Sequence, residues 1–176
     1  AMAQVTAVVC QPDRPAGRGL TLEPPPVKRV AEELGLEVVQ PHKLRTPEFA
    51  AWAREQRADI AIVIAYGRIL PPAVLQAPTH GALNLHASLL PRYRGAAPIT
   101  WALARGDKET GISLMQMDEG CDTGPVLSRH VLAIEPNETA GELGARLGQL
   151  AAEVVKNDLP RVLAGELRPV AQDGAA

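Results

Sequence analysis

The stretch DIAIVIAYGRILPPAVLQAPTHGALNLH, Asp59 to His86, decides the fold. Its first nine residues are almost wholly apolar, the pattern of a strand covered on both faces. A prolyl start at Pro71 and an apolar pair predict a short helix over Pro71 to Gln76. ALNLH, Ala82 to His86, is then a second strand. Strand, helix and strand in this order predict a parallel pairing. Ligands of such sheets bind beyond the carboxyl ends of strands, where both AYGRIL and ALNLH finish. Asn84 and His86 lie two apart, so in a strand they share one face. Both are unusual choices for a buried strand.

The pattern extends outward on both sides. VTAVVC, Val5 to Cys10, and LEVVQ, Leu36 to Gln40, predict strands. Between them, QPDRPAGRGLTLEPPP predicts a long loop. In VKRVAEELG, Val27, Val30, Ala31 and Leu34 fall at helical spacing, with Gly35 placed to end the helix. Thr46-Pro47 opens another helix as N-cap and first-turn proline. After His86, APITWALARG predicts a helix, and GISLMQM and PVLSRHVLAI predict strands joined by DEGCDTG. Thr139 and Glu142 have capping-box spacing and open a helix with an apolar stripe of Leu143, Leu147, Leu150 and Val154. Pro160 is expected to break it. The alternation predicts an α/β domain, Rossmann-like, with a mainly parallel sheet.

Composition narrows the functions. A chain of 176 residues suffices for one domain with a real core. The formal charge of -2 leaves no bulk polyelectrolyte character, so a nucleic-acid contact has to be local. With 3% aromatic residues, a base-stacking platform is disfavoured. The two cysteines, Cys10 and Cys121, make no disulfide framework. No apolar run reaches membrane-spanning length and no signal peptide precedes the first strand pattern. The expected chain is soluble, cytoplasmic and monomeric, with no membrane partner.

Three groups of residues bear chemistry. In the first, Asn84 offers an amide donor, His86 an imidazole and Asp122 a carboxylate. Together they could polarise a carbonyl and stabilise an oxyanion. Alternatively, His86 only hydrogen-bonds a strand end while Asp122 caps a turn. The second is Ser88, Leu89, Leu90 and Pro91, stiff and apolar enough to line a flat ligand, or else a plain connection into the next helix. The third is Arg14 and Arg18 in QPDRPAGRG, able to meet phosphates or simply solvated. A nucleophilic role for Cys121 lacks a suitably placed second histidine. His42, His80 and His130 show no metal-ligand spacing, so no metal is expected, and no P-loop or dinucleotide fingerprint occurs.

Taken together, NLHASLLPRYRGAAPI and MQMDEGCDTGPVL closely resemble the formyltransferase family that uses 10-formyltetrahydrofolate. The separation of 36 between His86 and Asp122 fits that family's Asn-x-His to Asp spacing. QPDRPAGRG, RGAAPI and MQMD-x-G-x-DTG resemble its methionyl-tRNA branch in particular. The resemblance runs from about Val5 to Pro169. It implies formyl transfer from 10-formyltetrahydrofolate to the amino group of methionine on initiator tRNA. It implies catalytic roles for Asn84, His86 and Asp122. It places folate against Ser88, Leu89, Leu90 and Pro91, against Tyr66, Gly67, Arg68, Ile69 and Leu70, and against Asp118. It places the tRNA acceptor end against Arg14 and Arg18. It further implies a catalytic domain over residues 1–173 followed by a short tail at 174–176. The family's first strand and helix and its C-terminal barrel-like domain are expected to lie outside this sequence. Two alternatives remain: a relative formylating glycinamide ribonucleotide or an amino-sugar nucleotide, and a non-catalytic folate-binding fragment.

Overall fold

A computed structural model describes residues 3–17 and 20–173. The chain divides into two compact units, one holding 1–59 and 66–79, the other 60–65 and 80–176.

In the first unit, β1 (Ala7–Val9) pairs in parallel with β4 (Glu37–Val39). Between them run β2 (Arg14–Ala16), β3 (Thr21–Glu23) and α1 (Pro26–Glu33). Gly35 takes φ +68, and the amide of Leu36 donates to the Ala31 carbonyl, closing α1 as the sequence predicts. The loop predicted over residues 11–26 instead contains an antiparallel ribbon, Arg14 opposite Glu23 and Ala16 opposite Thr21. The ribbon left no periodic signal because its described side chains face outward: Arg14, Pro15, Thr21 and Glu23 are exposed and Leu22 is 64% exposed. A polar knot holds its base, where Lys28 and Gln40 both donate to Asp13 at 2.9 and 2.7 Å. In α2 (Pro47–Glu55), Thr46 accepts from the Phe49 amide as predicted. Phe49 stacks on Trp52, and α3 (Pro72–Leu75) completes the unit.

The second unit is one sheet in the order β5-β6-β7-β8, with α4 (Pro98–Ala104) and α5 (Ala140–Leu163). β5 (Ala61–Ile64) and β6 (Ala82–His86) pair in parallel, Ile62 opposite Leu83. From β6 onward the pairing turns antiparallel, through β7 (Glu109–Gln116) and β8 (Val126–Ala133). The parallel pairing expected from the sequence therefore belongs to β1–β4 and β5–β6. The last two strands are joined by the loop 117–125, too short for a crossover, and form a hairpin.

Alternation along β6 sorts its side chains. Leu83 and Leu85 join Ile112 and Leu114 against Leu143, Leu147, Ala151 and Val154 of α5. Asn84 and His86 consequently face away from that core. Gly111 is required on β7, because a Cβ there would fall on the His130 carbonyl and against Leu89. The Thr139–Glu142 capping box forms as predicted. The break expected at Pro160 does not occur, and α5 continues to Leu163. Pro160 sits in the last turn, so its missing N–H removes one bond while its carbonyl still accepts from Ala164 at 2.9 Å.

Asp158 joins α5 to β8. It is 2% exposed, and its Oδ2 accepts from Ser128 at 2.6 Å and contacts His130 Nε2 at 2.7 Å. Arg161 lies 3.4 Å from the other oxygen. Burial pushes this carboxyl up, but the Ser128 and His130 hydrogen bonds and the nearby positive charge outweigh it and hold it below the usual range. A depressed folded pKa stabilises above the ordinary aspartate value of about 3.9 and is lost as pH falls through the folded value. Asp158→Ala should therefore cost about 2–4 kcal/mol at pH 7 in denaturant unfolding. The gap between variant and parent should narrow below about pH 4.

Candidate active site

β6 presents Asn84 and His86 side by side, 9% and 7% exposed. The loop after β7 folds back over them. The Asn84 amide donates to Asp122 Oδ1 at 3.2 Å, and His86 Nδ1 lies 3.5 Å from Asp122 Oδ2. The Gly95 amide donates to the same Oδ2 at 2.9 Å. Asp122 adopts φ +54, in the left-handed region. The antiparallel register explains the meeting: Asn84 pairs with Met115, so the β7–β8 loop starts beside the strand that carries both side chains.

The other nitrogen of His86, Nε2, lies 2.8 Å from the Tyr93 carbonyl. A carbonyl only accepts, so Nε2 carries a proton. Nδ1 then faces the Asp122 carboxylate, so both ring nitrogens have a partner. Direct donation from His86 to a substrate carbonyl would require releasing one of these partners. Asn84 differs. Among the described residues its amide makes one hydrogen bond, leaving a second amide hydrogen for a ligand.

The loop from Ser88 to Ala97 is held from behind. Ser88 donates to the Arg92 carbonyl at 2.6 Å, and Ser113 donates to the Ser88 carbonyl while accepting from the Leu90 amide. Arg129 donates to the Leu90 carbonyl at 2.7 Å. Ser88 and Leu90, expected to line a ligand, are 0% and 1% exposed. Leu90 packs with Met115 and Val126 beneath the loop. These two residues set the loop's path, while Leu89 and Pro91 stay half-buried and open to contact. Asp118 closes its own loop, accepting from the Gly120 amide and the Thr123 hydroxyl.

The remaining expected residues lie in the first unit. Tyr66 has its hydroxyl buried without a hydrogen-bond partner among the described residues, and burial pushes its pKa up, partly offset by Arg68. Arg68 donates to the carbonyls of Pro41 and His42. Gly67 takes φ +72, Ile69 is 63% exposed and Leu70 is half-buried. Arg14 is exposed, and its side chain bonds only Gln11, at 3.2 Å, among the described residues. Arg18 lies outside the described residues. Sequence reasoning missed the Tyr93 carbonyl and the Gly95 amide, which have no side-chain signature, and Ser113 and Arg129, whose partners are backbone atoms.

Cys121 is exposed, with Sγ 3.9 Å from Asp122 Oδ2. Local burial and the adjacent carboxylate push its thiol pKa up, which keeps it a poor nucleophile. Among the described residues no group of three His, Cys, Asp or Glu side chains is placed to hold a metal ion. No helix there is long and apolar enough to cross a membrane.

Comparison with known proteins identifies the family of the chain. The methionyl-tRNA formyltransferase of Sorangium cellulosum (strain So ce56) is 65% identical over 175 residues, covering 99% of this chain and 56% of that protein. The chain spans about half the length of the curated relatives it matches. Among solved structures, glycinamide ribonucleotide transformylase 1 from Geobacillus kaustophilus superposes with a TM-score of 0.72 at 29% identity, over 92% of this chain and 84% of that one. The formyltransferase PseJ from Anoxybacillus kamchatkensis, solved with a formamido sugar nucleotide and tetrahydrofolate, shares the fold at 22% identity and a TM-score of 0.69, over 98% and 84%. The Formyl transferase family model matches residues 1–159, and the chain belongs to that family.

Proposed function

We propose that this chain carries the catalytic machinery of a methionyl-tRNA formyltransferase, moving the formyl group of 10-formyltetrahydrofolate to the amino group of methionine on initiator tRNA. The carrying observation is the cluster of Asn84, His86 and Asp122 on the face of β6 away from the core, with an amide hydrogen of Asn84 unspent among the described residues. A formyl group is an acceptor, and it fits a site that offers this hydrogen. The relative from Sorangium cellulosum, a methionyl-tRNA formyltransferase by name, favours the tRNA-linked amine. The tetrahydrofolate bound by the Anoxybacillus formyltransferase favours a folate donor.

The folate supplies an activated formyl group. A new C–N bond forms to the methionine nitrogen and the bond from the formyl carbon to N10 breaks. Asn84 Nδ2 donates to the formyl oxygen as negative charge gathers there. Asp122 takes the proton of the attacking amine, directly or through one water, and returns it to N10. His86 holds Asp122 from one side and brings positive charge near the developing oxyanion, acting beside Asn84 rather than in its place. Leu89 and Pro91 offer the apolar edge for the folate, and Arg14 and Arg18 are assigned to the tRNA acceptor end.

In the intact enzyme, His86→Ala and Asp122→Asn should each lower kcat for methionyl-tRNA formylation about a hundred- to a thousandfold. Rates within threefold of the parent would remove these residues from the mechanism. Glycinamide ribonucleotide, the acceptor suggested by the Geobacillus structure's name, is the competing amine. Efficient formylation of it, with methionyl-tRNA inert, would favour that reading.

Cys121→Ser should leave kcat within twofold, measured in the same assay. A trapped formyl thioester would instead put the thiol on the reaction path.

Replacing Arg14 and Arg18 together with alanine should raise KM for the tRNA and reduce the salt dependence of its binding. Each lost phosphate contact should lower the slope of log affinity against log salt by roughly one unit. Folate affinity should be unchanged. An unaltered salt slope would return the ribbon to ordinary solvated surface.

A further inference from the structure

We propose that Gln172 is a positioning residue of this site, its carboxamide fixing the loop that carries Asp122 against the loop that carries the Tyr93 carbonyl and the Gly95 amide. The inference rests on the reading of Asn84, His86 and Asp122 as the transfer site. Gln172 makes no hydrogen bond to any of these three side chains, and it lies 50 residues from Asp122. Its Nε2 donates to the Asp122 carbonyl at 2.9 Å and to the Gly124 carbonyl at 2.7 Å. Its Oε1 accepts from Arg94 Nε at 3.0 Å. Both amide hydrogens and the carbonyl are thus engaged, two bonds to one loop and one to the other.

The two loops are the parts that have to agree. Asn84 and His86 sit on a strand fixed in the sheet. Asp122 arrives on a loop, and its Oδ2 is also held by Gly95 of the second loop, whose Tyr93 carbonyl takes the far side of His86. Arg94 lies between Tyr93 and Gly95, so the Gln172 contact fixes the short segment that supplies both bonds. On the other loop Gln172 grips the peptide of Asp122 itself, which is held at φ +54, in the left-handed region. Its second grip is at Gly124, where a Cβ would fall on the Gln116 carbonyl, so that backbone has no room to move inward.

Gln172 is itself anchored. Val170 and Val126 exchange backbone hydrogen bonds at 2.8 and 2.9 Å, which ties residue 170 to the start of β8. Arg94 Nη2 donates to the Asp173 carbonyl at 3.1 Å. Residues 170–173 therefore cross both loops as a strap, with the carboxamide at its middle. Its function in transfer is geometric: a displacement of about 1 Å in a reacting group costs on the order of a hundredfold in rate.

The test uses Gln172→Met, which keeps length without hydrogen bonds, and Gln172→Glu, which keeps the Arg94 contact but has no donor for the two carbonyls. If either folds poorly, the other carries the same reading. In the intact enzyme each should lower kcat about ten- to a hundredfold while KM for the formyl donor stays within twofold. Adding Asp122→Asn to either should bring no further loss beyond Asp122→Asn alone, because Gln172 acts through that carboxylate. The His86 ring ¹⁵N signals should shift in both variants, while those of His42 stay in place. A full parent rate in both variants, static His86 signals, or the same fractional loss in the Asp122→Asn background would overturn the proposal and leave Gln172 an anchor of the strap. Full activity of Asp122→Asn alone would instead overturn the assignment of the site.

Discussion

Asp122 shares two carboxylate oxygens among Asn84, His86 and Gly95, and this sharing holds the candidate site together. Hydrogen bonds to a charged group contribute roughly 1.5–3 kcal/mol each. Several of them outweigh the roughly 1–2 kcal/mol that a left-handed backbone costs at Asp122. The strained conformation persists because a strand, a loop and the strap at residues 170–173 each contribute a partner. Strain of this kind concentrates where a side chain has to be aimed rather than merely buried.

The sheet makes that aiming possible through alternation. On β6, Leu83 and Leu85 are consumed by the core under α5, which fixes the register of the strand. A slip of one residue would bury Asn84 and His86 against α5 and expose the leucines. The hydrophobic effect therefore orients two polar side chains with which it has no direct interaction. Gly111 on the neighbouring strand serves the same end, since it lets Leu89 lie close against the sheet where the loop leaves β6.

Much of this was legible in the residues. The apolar run from Ile60 and the short period of ALNLH placed β5 and β6, and the two-residue spacing put Asn84 and His86 on one face. The capping box at Thr139 and the stop at Gly35 both read correctly, because caps are local chemistry. Pro160 read as a break because a proline's position relative to the end of its helix is not visible without knowing that end. The β2–β3 ribbon was missed because none of its described side chains is buried. The partners of His86 and Asp122 include backbone groups, and any residue can supply those, so no residue type announced them. Gln172 was invisible for a related reason: a lone glutamine in an extended segment acquires meaning only from what the fold brings to it.

The division into units carries a consequence for how the chain is made. Residues 60–65 belong with 80–176, yet 66–79 return to the unit formed by 1–59. Neither unit is one continuous segment, so no single cut releases either of them whole. During synthesis the first unit waits for Pro72–Leu75, and β5 waits for β6, its parallel partner some twenty residues later. Intermediates that expose β5 alone present an apolar, unpaired edge, the form of a strand most open to wrong partners.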